Sequence, residues 1–505
     1  MKVLSAILLV ICTFFQSEAQ KITYSPVHNN EGSNSVDFEI LGKVGPNYLV
    51  FKNITWRSIL QVFDQDMNEI SNDRLKFVPD KVLNVDFVTY PDHFIMIYQY
   101  QKGNILYCDA VKMDPFGKKL QDEYTIDTTR IGLRSAKGVY STIYSEDKKN
   151  ILVYKMLERD SKLTLVTRLY NADLKLTDST RSVFDYNDRK EIYSAFQLAN
   201  DGTFSFTRET KTGTRENFGM IDLVERKPNT PEFMSIPIDL QKNYVDDISV
   251  KIDNLNNNYL INAFFYPEKK SSNIVGLFTA VIDRKTLGVR TGINVFSDSL
   301  RNSMVGTNQF KYAFDNVFLK NLFLKRDGSF IVVGEDFSTQ SIGGFRPWNR
   351  WDYLYNNPYS YYDYNYMYSP YYYRYNRFNS FNTGATTRYY YEKILILSVD
   401  SNLKLQWDNT ILKNQVADDD DSYLSFGTLN AGGQVHFLYI EKEKNAQIVN
   451  NHSISPYGNL YRYPTIKGGE SGYQFMPRLL KQVGARSIIV PCVHRGSIAF
   501  AKIDF

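Results

Sequence analysis

One short apolar segment recurs eight times along the chain, and no other feature restricts the fold as much. The series opens with Asn47-Tyr48-Leu49-Val50-Phe51, His93-Phe94-Ile95-Met96-Ile97, Asn150-Ile151-Leu152-Val153-Tyr154 and Gly202-Thr203-Phe204-Ser205-Phe206. It continues with segments that begin at Asn258, Gly328, Gly433 and Arg486. Each is followed by a second strand that runs into a turn residue, as in Leu60–Asp64, Ala110–Asp114, Arg168–Asn171, Gly219–Asp222, Ala280–Asp283, Leu397–Asp400, His452–Ser455 and Ala501–Asp504. β-branched and aromatic residues broken by Asn, Asp and Gly are the mark of strands and tight turns, because Asx side chains cap nearby amides and tolerate strained dihedrals.

Most repeats are spaced by about 45 to 70 residues, which is room for four short strands and their loops. Naming the recurring strand B and the turn-ended one C, a strand D follows, as in Thr180–Phe184, and a strand A precedes the next B, as in Ile192–Phe196. Four-stranded units repeated around a ring make a β-propeller, so we expect an all-β, single closed propeller of about eight blades. Seven blades is the alternative count if one unit is degenerate. Two stacked β-sandwiches are the rival architecture; they require a break in spacing mid-chain, and none occurs near residues 200–260. The chain ends one residue after the eighth C strand, leaving that blade without an outer strand. Lys21–Ser25 is placed to supply it, which closes the ring and removes an exposed edge.

The first nineteen residues carry Lys2, an apolar run from Val3 to Phe15, and Ser17-Glu18-Ala19, the layout of a secretory signal peptide cut after Ala19. Cys12 sits within the apolar run after Leu9, Val10 and Ile11, which argues against a lipoprotein. No later stretch is long and apolar enough to span a bilayer, so no transmembrane segment is expected in residues 20–505. The two remaining cysteines, Cys108 and Cys492, are too few to staple so long a chain, and they are expected to be separate buried thiols. A net charge of +4 over 505 residues, with the basic residues dispersed, excludes a nucleic-acid-binding stripe.

One unit carries a long insertion between its B and C strands, at residues 345–391. It holds fifteen of the 38 tyrosines, two of the four tryptophans and five arginines, and no lysine. Disordered tracts are poor in aromatics, whereas Tyr, Trp and Arg are what binding surfaces enrich. The partner-contact candidates are therefore Trp348, Arg350, Trp351, Tyr353, Tyr361, Tyr362, Tyr371, Tyr372, Tyr373 and Arg374. A surface loop of drifted composition is the bland alternative. A carbohydrate ligand is the other, since aromatic rings stack on the apolar faces of sugars.

Catalytic signatures do not emerge. The five histidines make no ligand pair, and His93, His436 and His494 fall in or beside B strands as structural residues. Asp418–Asp421 reads as a solvated loop between blades rather than a calcium site, because contiguous side chains diverge. Asp64–Asn68 lacks the glycine and closing glutamate of a calcium loop and reads as a turn. Ser398-Val399-Asp400-Ser401-Asn402 with Trp407 looks like the Asp-box turn of sialidase propellers, which is structural. There is no GxSxG elbow, P-loop or GxGxxG. No catalytic residue, metal site or cofactor is assigned.

The stretch Lys393–Asp400 through Leu405-Gln406-Trp407, with its Tyr-rich lead-in and Lys413-Asn414-Gln415 after it, resembles a group of exported bacterial proteins with propeller-like repeats and a Tyr-rich insertion. The resemblance implies a Gram-negative envelope setting and brings no catalytic residues; export through the Sec pathway to the periplasm or the outer membrane is expected, with an extracellular address as the alternative. The expected role is a non-enzymatic binding or scaffold subunit that contacts an envelope or outer-membrane protein partner through the insertion. The alternative is a carbohydrate-binding or carbohydrate-active propeller with its site at the channel mouth. A chain that stops on a core strand has no room for an appended sorting domain, which favours retention in the envelope.

Overall fold

The computed structural model describes residues 20–28, 36–132, 139–213, 216–304, 314–342, 350, 353–354, 386–443, 446–467 and 472–505. The expected signal peptide lies outside them. The first strand, β1 (Lys21–Tyr24), belongs to the last blade. Blade 1 is β2 (Val36–Val44), β3 (Asn47–Ile54), β4 (Arg57–Phe63) and β5 (Glu69–Arg74). Blade 2 is β6 (Val82–Thr89), β7 (Phe94–Lys102), β8 (Ile105–Met113) and β9 (Tyr124–Arg130). Blade 3 is β10 (Tyr140–Tyr144), β11 (Asn150–Arg159), β12 (Lys162–Asn171) and β13 (Leu176–Asp185). Blade 4 is β14 (Glu191–Leu198), β15 (Phe204–Thr210), β16 (Met220–Arg226) and β17 (Met234–Ile238). Blade 5 is β18 (Tyr244–Asp253), β19 (Asn258–Tyr266), β20 (Gly276–Asp283) and β21 (Val289–Val295), with a short helix α1 (Asp298–Met304) after it. Blade 6 is β22 (Val317–Leu324), β23 (Phe330–Ile342), β24 (Thr386–Val399) and β25 (Leu405–Asp418). Blade 7 is β26 (Phe426–Ala431), β27 (Gln434–Glu443), β28 (Ala446–Ile454) and β29 (Leu460–Lys467). Blade 8 is β30 (Tyr473–Phe475) and β31 (Lys481–Gln482), then β32 (Ser487–His494) and β33 (Ser497–Asp504).

Every sheet is an antiparallel four-stranded meander except the last, which has five members because a 3-10 turn at Pro477–Leu479 splits its A strand into β30 and β31. All eight recurring segments are the second strands of their blades, so the count is eight and not seven. β1 pairs antiparallel with β33, Lys21 opposite Asp504 and Tyr24 opposite Ala501, and completes blade 8 as its outer strand.

Burial explains why the B strands announce themselves in the sequence. A central strand is covered on both faces by neighbouring blades and reads as a nearly unbroken apolar run; β19 is buried from Tyr259 to Tyr266 and β3 from Asn47 to Asn53. Outer strands alternate instead, and β13 never becomes fully buried. The apolar core is divided into slabs between consecutive blades. Leu49, Phe51 and Val62 of blade 1 pack on Phe87, Phe94 and Met96 of blade 2, and the ring closes where Phe38 and Phe63 of blade 1 meet Ile489 and Phe500 of blade 8.

Four of the C–D turns repeat one design; blade 4 departs from the sequence reading, because β16 runs on to Arg226 and Asp222, expected at the turn, lies mid-strand and accepts from Arg208. The Asp64, Asp114 and Asp400 carboxylates each accept from the amides two and four residues on, as does the Asn171 side-chain oxygen. The fourth residue of the turn is left-handed: Met67 (φ 61), Gly117 (φ 79), Leu174 (φ 57), Leu403 (φ 65). Where that residue is Met or Leu it is buried, so apolar packing offsets the backbone strain. The Asp64–Asn68 and Asp400 readings as turns therefore hold. Cys108 and Cys492 are both buried and unbridged, as expected.

Candidate functional site

Strand direction alternates, so the A–B and C–D turns lie on one face of the disc and the B–C and D–A connections on the other. The insertion leaves blade 6 on the second of these faces. Its boundaries differ from the sequence reading. β23 continues to Ile342 and β24 already begins at Thr386, so Thr386–Tyr391, read as part of the tract, is β-strand. Together with the long β25 these strands form a three-stranded pedestal rising from the blade, with Tyr389 paired to Thr339 and Ala417. Tyrosine is a strong strand former on a half-buried pleat, which is why a tyrosine-rich tract can extend a hairpin.

Of the ten partner-contact candidates, Arg350 and Tyr353 are described; Trp348, Trp351, Tyr361, Tyr362, Tyr371, Tyr372, Tyr373 and Arg374 lie outside the described residues. Arg350 is placed inside the protein, 9% exposed. Its guanidinium grips the Asp246 carboxylate through Nε (2.7 Å) and Nη2 (3.1 Å), donates to the Val317 carbonyl, and stands 3.6 Å from Asp247. It also stacks 4.3 Å over the Phe318 ring. Arg350 is thus an anchor for the start of the insertion rather than a surface contact. Tyr353, half-buried, packs at 4.6 Å on Phe318 and 5.0 Å on Phe337, in a cluster with Leu354, Tyr391 and Leu424.

The acids that receive Arg350 come from a bulge in β18, where the register slips between Asp246 and Ser249. The bulge turns Asp247 into the left-handed region (φ 51), and its carboxylate accepts the Leu319 amide of blade 6 at 2.6 Å. Tyr266 donates to Asp246 at 2.8 Å. Burial drives the Asp247 carboxyl up to about 6, with Arg350 pulling against it. Asp315, beside them, is raised to about 7 by burial, again opposed by Arg350.

The other side of the pedestal is held by Asp418–Asp421. The four side chains do diverge, but the run is not merely solvated. Asp418 pairs bidentately with Arg388 (2.7 and 2.9 Å), and Asp419 accepts the Thr387 amide (2.8 Å). Asp420 caps Ser422 (2.8 Å). Asp421, buried, takes the Tyr391 hydroxyl (2.8 Å) and Arg478 of blade 8 (3.0 Å). The solvated-loop reading is corrected accordingly: these aspartates clasp the root of the insertion. Beneath them Lys413 and Glu335 form a fully buried pair, with Ser425 donating to Glu335 at 2.6 Å and Gln415 accepting from Lys413 at 3.1 Å. Burial would raise Glu335, but Lys413 and then Lys320 overcome it and hold the carboxyl below its ordinary value.

Among the described residues the site holds no nucleophile–base pair; it is a mount built of ion pairs and hydrogen bonds. His93 is hydrogen-bonded to Asp92 (2.7 Å) and His436 to Asn451 (3.0 Å), both structural. Among the described residues no helix is long and apolar enough to cross a membrane.

No protein-family model matches the chain, nor does any curated protein. Its fold is similar to the WD40 domain of SCAP from fission yeast, at 9% identity over 97% of this chain and 96% of that one, with a TM-score of 0.42. It is also similar to the polysaccharide lyase Uly1, at 9% identity over 83% and 89% of the two chains, with a TM-score of 0.40. Prolyl oligopeptidase B from Galerina marginata is matched over 56% of its length and 92% of this chain, at 9% identity and a TM-score of 0.43. The blade count rests on the sheet topology and not on these likenesses.

Proposed function

We propose that this propeller is a non-enzymatic scaffold, exported to a bacterial cell envelope, that presents its Tyr/Arg-rich insertion to a protein partner there. The observation that carries the reading is the mount. A drifted surface loop has no use for a buried bidentate arginine at one end and a run of four engaged aspartates at the other. Fixing both ends of a long aromatic segment lowers the ordering cost of binding, so more of its contact energy appears as affinity. Blades 5, 6, 7 and 8 all contribute to the mount, which ties the position of the segment to the whole ring rather than to one hairpin.

The test is affinity capture from solubilised envelopes, with the full chain and with a variant whose residues 355–385 are replaced by a short Gly/Ser link. A stoichiometric partner retained by the full chain and lost with the variant is the expected result. The same set of proteins on both baits, or none on either, overturns the reading.

A further inference from the structure

On the face away from the insertion, the central channel opens in a cavity of about 240 Å³. Four consecutive blades line it: Lys481 from blade 8, Glu39 and Lys43 from blade 1, Thr89 from blade 2, and Tyr144 and Lys148 from blade 3. Its electrostatics differ from those of the wider cleft between blades 2 and 3, where Lys155 and Arg168 both reach Asp127, at 2.8 and 3.2 Å. Among the described residues none of Lys43, Lys148 and Lys481 has a carboxylate partner.

Lys148 is held in place by neutral groups alone. Its ammonium donates to the carbonyl (2.9 Å) and hydroxyl (3.3 Å) of Thr89, and Tyr90 donates to its own carbonyl at 2.7 Å. Its backbone is left-handed (φ 57), a conformation that a residue with a side chain adopts at some cost. Burial and then the charge of Lys481 hold its ammonium below the ordinary lysine value. Three cations line one concave mouth, and an anion bound among them is attracted to all three.

Further along the channel the character changes. Glu39 precedes Lys43 in β2, on the order of 10 Å deeper at the rise of a strand. The Tyr144 hydroxyl is raised by burial, then by Glu39 and Asp86, so it remains a hydrogen-bond donor and acceptor at any physiological pH. A cationic rim with the Tyr144 phenol beside Lys148, over a deeper carboxylate, asks for a ligand with an anionic group and hydroxyl donors. The volume is below the roughly 300 Å³ at which pockets begin to enclose drug-sized molecules, and suits one pyranose ring.

We propose that this mouth binds a single acidic sugar residue, its carboxylate among Lys43, Lys148 and Lys481 and its hydroxyls against Glu39 and Tyr144. The site lies on the opposite face from the insertion and does not rest on the scaffold reading, so either can fail alone.

Titration calorimetry on the whole protein, at constant ionic strength, with D-glucuronate, D-glucose and inorganic sulfate as separate probes, tests it. Glucuronate is expected to bind, and glucose at least about tenfold more weakly, as the loss of a charge-assisted contact requires. Lys481→Ala, at an exposed position, and Lys148→Met should each weaken glucuronate about tenfold, and Lys481→Ala should leave the thermal midpoint unchanged. Glucuronate and glucose binding equally, sulfate binding where glucuronate does not, or affinity untouched by both substitutions would each overturn the proposal.

Discussion

Arg350→Met is the substitution that most directly probes the mount. The wild-type guanidinium is 9% exposed and makes two hydrogen bonds to Asp246 and one to the Val317 carbonyl, with Asp247 at 3.6 Å. Methionine keeps much of the volume against Phe318 but leaves two buried aspartates without their cation. Breaking a buried pair by removing one partner costs about 3–5 kcal/mol, since the remaining charge is stranded. At roughly 2.1 cal/mol/K per residue, a chain of this size has an unfolding entropy of about 1 kcal/mol/K, so the midpoint should fall by about 3–5 °C. The pH dependence is the sharper signature. Asp247 is already raised to about 6 with Arg350 opposing the rise, so the variant carboxyl titrates higher still. A carboxyl raised above its unfolded value favours the fold while protonated and loses that contribution as pH climbs through the folded value. The penalty of Arg350→Met should therefore be largest near pH 8 and shrink toward pH 5. Differential scanning calorimetry across that range is the assay, with Asp246→Asn added to the variant as a control that restores part of the loss. A midpoint within about 1 °C of wild type at pH 8, or a penalty that grows on acidification, would refute the reasoning.

Three further outcomes are expected. Lys413→Met, which leaves buried Glu335 with Lys320 at 3.8 Å as its remaining cation, should cost about 3–5 kcal/mol by chemical denaturation, while the double variant Lys413→Met/Glu335→Leu recovers most of it because the buried carboxylate goes with its buried partner. Removal of Lys21–Tyr24 bares the edge of β33, and the shortened chain should self-associate with rising concentration in light scattering while the full chain stays monodisperse. Asp315 and Asp336 are both raised to about 7 by burial, so each contributes stability that is complete below about pH 4 and lost as pH rises through 7. The thermal midpoint of Asp315→Asn/Asp336→Asn should accordingly decline less between pH 5 and 7.5 than that of wild type.

The ring could be read from the chain because its determinants are local. A B strand enclosed by two neighbours must be apolar on both faces, and a C–D turn of the repeated design needs a side-chain cap at its first residue and a left-handed residue at its fourth. Both constraints act within about ten residues; the first recurs in all eight blades and the second in the turns at Asp64, Asp114, Asn171 and Asp400. Closure by β1 followed from counting, since blade 8 lacked one strand at the C-terminus. The mount was not legible. Arg350 and Asp246 are 104 residues apart, and Asp421 reaches Arg478 across 57. An aspartate run looks the same whether water or a pedestal receives it. Nor does anything in sequence join Lys43, Lys148 and Lys481, which meet because the chain returns around the ring. The sequence by itself determined the blades and their closure, because burial and turn chemistry are written into neighbouring residues, while the sheets decided for eight blades over seven. Which charges face one another was decided only when the blades docked, because a long-range ion pair depends on the relative placement of whole sheets and leaves no periodic trace in the chain.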